Sequence, residues 1–179
     1  AYVQNAWDWQ QAGDRKWALV AGVRAQNWSY NGQTVVSPRM RLAYHPGWRK
    51  VTTAGDTLKR DYSFWFATGL YHQPPFYREL RDFQGRLHPD VRAQESIHFI
   101  LGMDRQFKMW ERPFKFTTEA YYKALSHLNT YELDNVRIRY YADNNAKGYA
   151  AGIDMKLNGE FIQGVESWAA VSVMQTEED

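Results

Sequence analysis

Three patterns in this chain could do chemistry: its histidines, an acidic pair, and a run in which arginine alternates with apolar and aromatic residues. The five histidines, His45, His72, His88, His98 and His127, are scattered, without the i, i+4 or short-loop spacing that brings imidazoles onto one metal ion. No metal site is expected from them. Glu177 and Glu178 form an acidic pair, but paired carboxylates carry catalytic meaning only at a defined separation, and a solvated loop accounts for them equally well. Phosphate-cradling glycine loops, a nucleophile elbow and a dinucleotide fingerprint do not occur. The chain is therefore read as a non-enzyme without a cofactor. Arg137, Arg139, Tyr140 and Tyr141 could stack and neutralise a single-stranded nucleic acid. Asp134 and Asp143 beside them would weaken a phosphate groove, so no nucleic-acid partner is expected.

The elements that would have to position any site are strands. Lys147, Tyr149, Ala151, Ile153, Met155 and Leu157 alternate with Gly148, Ala150, Gly152, Asp154 and Lys156. The same period of two relates Phe114, Phe116, Thr118, Ala120 and Tyr122 to Lys115, Thr117, Glu119, Tyr121 and Lys123. Successive side chains on a strand point to opposite faces, so these runs give a sheet with one apolar and one polar surface. Their length is close to the roughly 9–11 residues with which a tilted strand crosses a bilayer.

Composition is compatible with that reading. The chain has 179 residues, 22 Lys and Arg against 20 Asp and Glu, and no cysteine, so disulfides and thiolate metal sites are excluded. The two signs of charge are mixed along the sequence, which does not suit generic binding to nucleic acid. Aromatic residues make up 16%, yet mean hydropathy is negative. The longest apolar run, 64–70, is far short of the roughly 20 residues of a spanning helix. A membrane barrel passes this test, because only alternate residues meet lipid. The sequence opens and closes on strand-like segments, which suggests an internal piece of a longer polypeptide.

Strands are predicted over 1–11, 16–30, 35–44, 61–72, 93–107, 113–125, 136–143, 147–157 and 167–176; some would merge to give roughly eight antiparallel strands. Turns are expected at Ala12, Gly13 and Asp14, at Asn31 and Gly32, at Pro46 and Gly47, and at Asn158 and Gly159. Two connections are longer, 73–92 and 126–136. In outer-membrane barrels long loops face outward and short turns face the periplasm. That rule makes those two extracellular and 108–112 and 158–165 periplasmic. It also puts the compact Asn31–Gly32 turn outside and the longer 46–60 connection inside, for which the sequence offers no reason.

Alternation alone does not separate a barrel wall from a soluble β-sandwich. Arg24, Arg39, Arg41, Lys115, Glu119, Lys123, Asp154 and Lys156 would face a lumen in the first and solvent in the second. Trp17, Trp28, Tyr44, Tyr62, Tyr71, Phe107, Trp110, Phe114 and Trp168 fall mostly near strand ends, as interface girdles would. Phe64, Phe66 and Phe99 lie mid-strand, as a sandwich core would prefer.

Four stretches resemble one family. Ser37, Pro38, Arg39, Met40, Arg41, Leu42, Ala43, Tyr44, His45 and Pro46 are similar to the strand before a periplasmic turn in TonB-dependent outer-membrane receptors. Gly69, Leu70, Tyr71, His72, Gln73, Pro74, Pro75, Phe76, Tyr77, Arg78, Glu79 and Leu80 resemble the family's strand-to-loop motif of Gly, aromatic, Pro and Glu-Leu. The run His88, Pro89, Asp90, Val91, Arg92, Ala93, Gln94 and Glu95 falls where an Asn-Pro segment leads into the next strand. Asn144, Asn145, Ala146, Gly148, Gly152, Ile153 and Asp154 are similar to the family's Asn, Gly, Gly, acidic strand. Order and spacing agree across most of the chain, and the wording is nearest to receptors of the Bacteroidota type. Tyr71, His72, Gln73 and Pro74 depart from the more frequent Phe-Arg-Ala-Pro.

The resemblance implies an all-β fold: an antiparallel transmembrane segment of roughly eight up-and-down strands, an open arc of a barrel of about 22 strands. Residues 1–179 would be a partial barrel domain, with the plug domain, the TonB box and both natural termini outside it. The implied function is active uptake across the outer membrane of Gram-negative bacteria of a siderophore, haem, cobalamin, glycan or peptide. The implied partners are outer-membrane lipid, the protein's own plug, the TonB complex and a small-molecule or glycan cargo. Candidate cargo contacts are Pro75, Phe76, Tyr77, Arg78 and Arg81 in the first long loop and Tyr131 and Glu132 in the second. The competing expectations are a complete small outer-membrane barrel with a structural or adhesin role, and a soluble carbohydrate-binding sandwich.

Overall fold

A computed structural model describes residues 1–11, 13–51, 57–59 and 61–179, and the side chains of 49–51 and 57–59 are not among what it describes. Ala12 of the first predicted turn, and 52–56 and Arg60 of the 46–60 connection, lie outside the described residues. The wall strands are β1 (Tyr2–Gln11), β2 (Arg15–Trp28), β3 (Gln33–His45), β6 (Asp61–Gln73), β7 (Gln94–Met109), β8 (Arg112–Leu128), β11 (Ala146–Ile162) and β12 (Val165–Glu178). They form one eight-stranded sheet in the order β1-β2-β3-β6-β7-β8-β11-β12. Each strand pairs antiparallel with the next wall strand in sequence, as hairpin connections dictate. The short hairpins β4 (Arg49–Val51) with β5 (Thr57–Lys59), and β9 (Tyr131–Asp134) with β10 (Arg137–Tyr140), stand apart from it. The fold is all-β and antiparallel.

One predicted strand is not in the wall. Residues 136–143 alternate as expected, but Arg137–Tyr140 pair with Tyr131–Asp134 around Asn135, whose φ is 55°. The second long connection is therefore 129–145, not 126–136. A period of two identifies a strand without naming its partner.

Register assigns each side chain to a face. Arg39 is opposite Gly69, Gly69 opposite His98, His98 opposite Lys123, and Lys123 opposite Ala150. The other face carries Leu19, Met40, Leu42, Phe66, Leu101, Ala120, Ile153 and Val173, linked by the same ladders. Many of these apolar side chains are exposed, including Phe99, Leu101, Ile153, Met155, Val171 and Val173. At the turn end of this face Trp9, Trp17, Tyr44 and Phe64 follow one another across four strands. Trp17 and Tyr44 have ring centroids 4.2 Å apart. Trp28, Tyr71 and Trp168, predicted girdle members, instead fall on the polar face. Proximity to a strand end did not fix their parity.

Buried Val35, Phe114 and Ala146 belong to wall strands, but the cluster of buried apolar residues lies off the sheet. Leu80, Val91 and Ala142, with Trp28 against them, form a cluster at the end where the long connections emerge. Among the described residues no helix is long and apolar enough to cross a membrane, which says nothing of crossing by strands.

Candidate functional site

Residues 29–32, 74–93 and 129–145 leave the same end of the sheet, and side chains bind them into one platform. Asn144 is its hub. Its Oδ1 accepts from Arg92 N at 2.6 Å, while Nδ2 lies within donating distance of Arg92 O (3.1 Å), His127 O (2.9 Å) and Asn129 Oδ1 (2.9 Å). Buried Glu79 accepts from Phe76 N at 2.9 Å and Asn129 Nδ2 at 3.3 Å. Asn31 Nδ2 donates to Val91 O at 3.2 Å, and Gln33 Oε1 accepts from Ala93 N at 2.9 Å. The short 29–32 turn thus holds the long loop beside it, which gives a physical reason for a compact turn at the long-loop end.

On this platform Phe76, Tyr77, Arg78, Arg81, Tyr131 and Glu132 are exposed, whereas Pro75 is buried and presents nothing to a ligand. The Arg81 guanidinium lies over the Tyr77 ring, 4.8 Å from its centroid, and donates to its hydroxyl. Tyr131 sits 6.1 Å from the Tyr140 ring. Tyr141 donates to Glu132 at 3.0 Å, and that bond to a carboxylate raises the phenol above the ordinary tyrosine value. Phe83 meets Tyr141 edge-on at 4.6 Å and ties the two loops together. The sequence assigns Ile138 and Tyr141 to a wall strand over 136–143 and so hides them as loop-surface residues, yet both are exposed.

Within the first loop, Asp82 closes a turn. Its carboxylate meets His88 Nε2 at 2.9 Å and accepts from Arg86 Nε (2.8 Å) and from the amides of Gln84 and Arg86 (2.9 Å each). The His88 contact, followed by these donors and opposed by desolvation, holds the carboxyl well below the usual range. A depressed native pKa stabilises above the unfolded value and is lost as pH falls through the folded one. Amide-exchange protection at Gln84 and Arg86 should therefore persist from pH 7 to about pH 4 and vanish only in stronger acid. Asp82→Ala should remove it throughout. Loss of protection already at pH 5 would refute this account.

The second candidate is the polar face. Arg24, Arg39, Arg41, Lys115, Glu119, Lys123, Asp154 and Lys156 all lie on it by register. Its turn-proximal half is mixed in sign: Lys115 Nζ is 3.4 Å from Asp104, Thr117 donates to Asp104 at 2.7 Å, and Glu119 stands opposite Asp154. The loop-proximal half differs. Arg39 stacks over Tyr71 at 4.7 Å and Tyr71 stacks on His98 at 4.3 Å, while Arg41, midway along the face, lies over Trp65 at 4.9 Å on the rung that leads to Glu119.

One arrangement had no signal in the sequence. Ser37 Oγ is 3.0 Å from His72 Nδ1, and His72 Nε2 is 3.4 Å from Glu95. The order serine, imidazole, carboxylate suggests a nucleophile, but Ser37 is 2% exposed and leaves no opening for a substrate carbonyl. It bridges strands instead. The β3–β6 ladder stops at Arg39–Gly69, next to Pro38, which has no N–H to continue it, and the side chains span the gap. Among the described residues no three His, Asp or Glu side chains gather in a metal-holding group.

Comparison with family models, curated proteins and solved structures finds no match in any of the three.

Proposed function

We propose that this chain is part of the barrel wall of a TonB-dependent outer-membrane receptor that takes up a small-molecule or glycan nutrient. The observation that carries the reading is the uncovered apolar face. A soluble sandwich must lay a second sheet on such a surface. Among the described residues the only other strands belong to two hairpins of three and four residues per strand, too small to cover it. Exposed apolar side chains bordered by an aromatic row suit a bilayer. Hydrogen-bonded wall strands of 10–17 residues are long enough to span it.

A further feature supports a receptor. The long connections share one end and are braced against each other, which suits a surface that must keep its shape while it captures cargo. The test is to express the complete gene product in a Gram-negative host, fractionate the membranes and compare electrophoretic migration with and without heating. Recovery in the outer membrane with heat-modifiable migration is the expected result. A product that stays in the aqueous fraction without detergent would overturn the reading.

A further inference from the structure

We infer that the loop-proximal half of the polar face holds an anion-binding subsite built by Arg24 and Arg39, for a carboxylate, phosphate or sulfate group on the ligand. The inference rests on the transport reading and names the charge of what is carried.

Arg24 is opposite Ser37, and Arg39 is opposite Gly22 and Gly69. The two arginines are therefore diagonal neighbours on one face, about 7–8 Å apart at Cα. Both line one concavity of about 670 Å³, together with Tyr2, Gln26 and Asn27 and with no acidic residue in its lining. Along the same rung of the sheet follow His98 and Lys123. Neither Arg24, Arg39, Arg41 nor Lys123 has a carboxylate within ion-pair distance among the described residues. Lys115, in the turn-proximal half, does have one, Asp104 at 3.4 Å. The charge separation therefore runs along the strand axis.

The local packing presents Arg39 to a ligand. Its guanidinium rests on Tyr71, and the Cβ that Gly69 lacks would fall 3.1 Å from both Arg39 Cγ and the Tyr71 ring. Arg39 Nε is buried, without a hydrogen-bond partner among the described residues, which leaves the two terminal nitrogens to meet a ligand. A planar guanidinium held by a ring is suited to bidentate contact with an oxyanion through those two nitrogens. Like charges gathered on a half-buried surface repel, and an anion between them relieves that repulsion.

The test is titration of inorganic phosphate into the purified, detergent-solubilised complete protein, followed by calorimetry and ³¹P line width. Saturable binding that weakens with salt is expected. Arg24→Gln and Arg39→Gln should each weaken it by about tenfold, the scale of one lost charge-assisted contact. Lys156→Gln, at the other end of the same face, should leave it unchanged. Arg24 is exposed, so its substitution reports even if the Arg39 variant does not fold. Absence of saturable binding in a protein with heat-modifiable migration, or equal weakening by Lys156→Gln, would overturn the subsite and leave the transport reading standing. A product found in the aqueous fraction that still binds phosphate through Arg24 would do the reverse.

Discussion

Leu101→Arg should cost about 2–4 kcal/mol of folding free energy in lipid vesicles, the penalty for arginine on the lipid face of a barrel at mid-bilayer. Leu101 lies in the middle of β7 on the apolar face, opposite Phe66 and Ala120, and is 62% exposed. The exposure makes the substitution diagnostic. On a soluble sheet an exposed leucine can become arginine within about 0.5 kcal/mol, because the guanidinium enters water. In hydrocarbon the same change strands a charge that must snorkel along the strand or draw water in. Ser172→Arg is the control: Ser172 is exposed, lies on the polar face of β12 and stands opposite Asp154. That variant should fold as the parent does. Urea midpoints and the heat-modifiable fraction of both variants decide the matter, and equal stability of the two would remove the bilayer from the account.

How far the sequence foretold this arrangement depended on what kind of signal each feature leaves. Wall strands were legible because a sheet with two unlike faces writes itself as a period of two, and all eight occur where that period predicts. The placement of Arg24, Arg39, Arg41, Lys115, Glu119, Lys123, Asp154 and Lys156 on one face followed from the same parity. Pairing partners were not legible. The segment containing Ile138 has the alternation of a wall strand, and only Asn135 at positive φ turns it back on Tyr131–Asp134. Side-chain bridges between distant segments left no trace either: Asn144 to Arg92 spans 52 residues and Asn31 to Val91 spans 60. Glu79 looked like one word of a family motif, whereas its work is to accept hydrogen bonds from Phe76 and Asn129 under the loop surface. Pro75 illustrates the converse, since a loop proline read as a ligand contact is buried.

The packing of the polar face makes the second large prediction. Gly102 is opposite Trp65, and the indole lies across it: a Cβ at 102 would stand 2.1 Å from Trp65 Cε2 and 2.3 Å from Cζ2. Arg41 covers the indole, its guanidinium carbon 4.9 Å from the ring centroid. A fused ring cannot bend away from a new methyl; it has to rotate as a unit and leave Arg41. Gly102→Val should therefore destabilise by about 1–3 kcal/mol, the usual cost of overpacking. Against this stands a gain of about 0.5–1 kcal/mol from removing a strand glycine, so the clash wins while Trp65 is present. In a Trp65→Ala background the obstacle is gone and only the gain remains. Gly102→Val should then become stabilising, and the double-mutant cycle should show coupling of at least about 1 kcal/mol. A destabilisation of the same size in both backgrounds would mean that Gly102 is needed for its backbone and not for the ring above it.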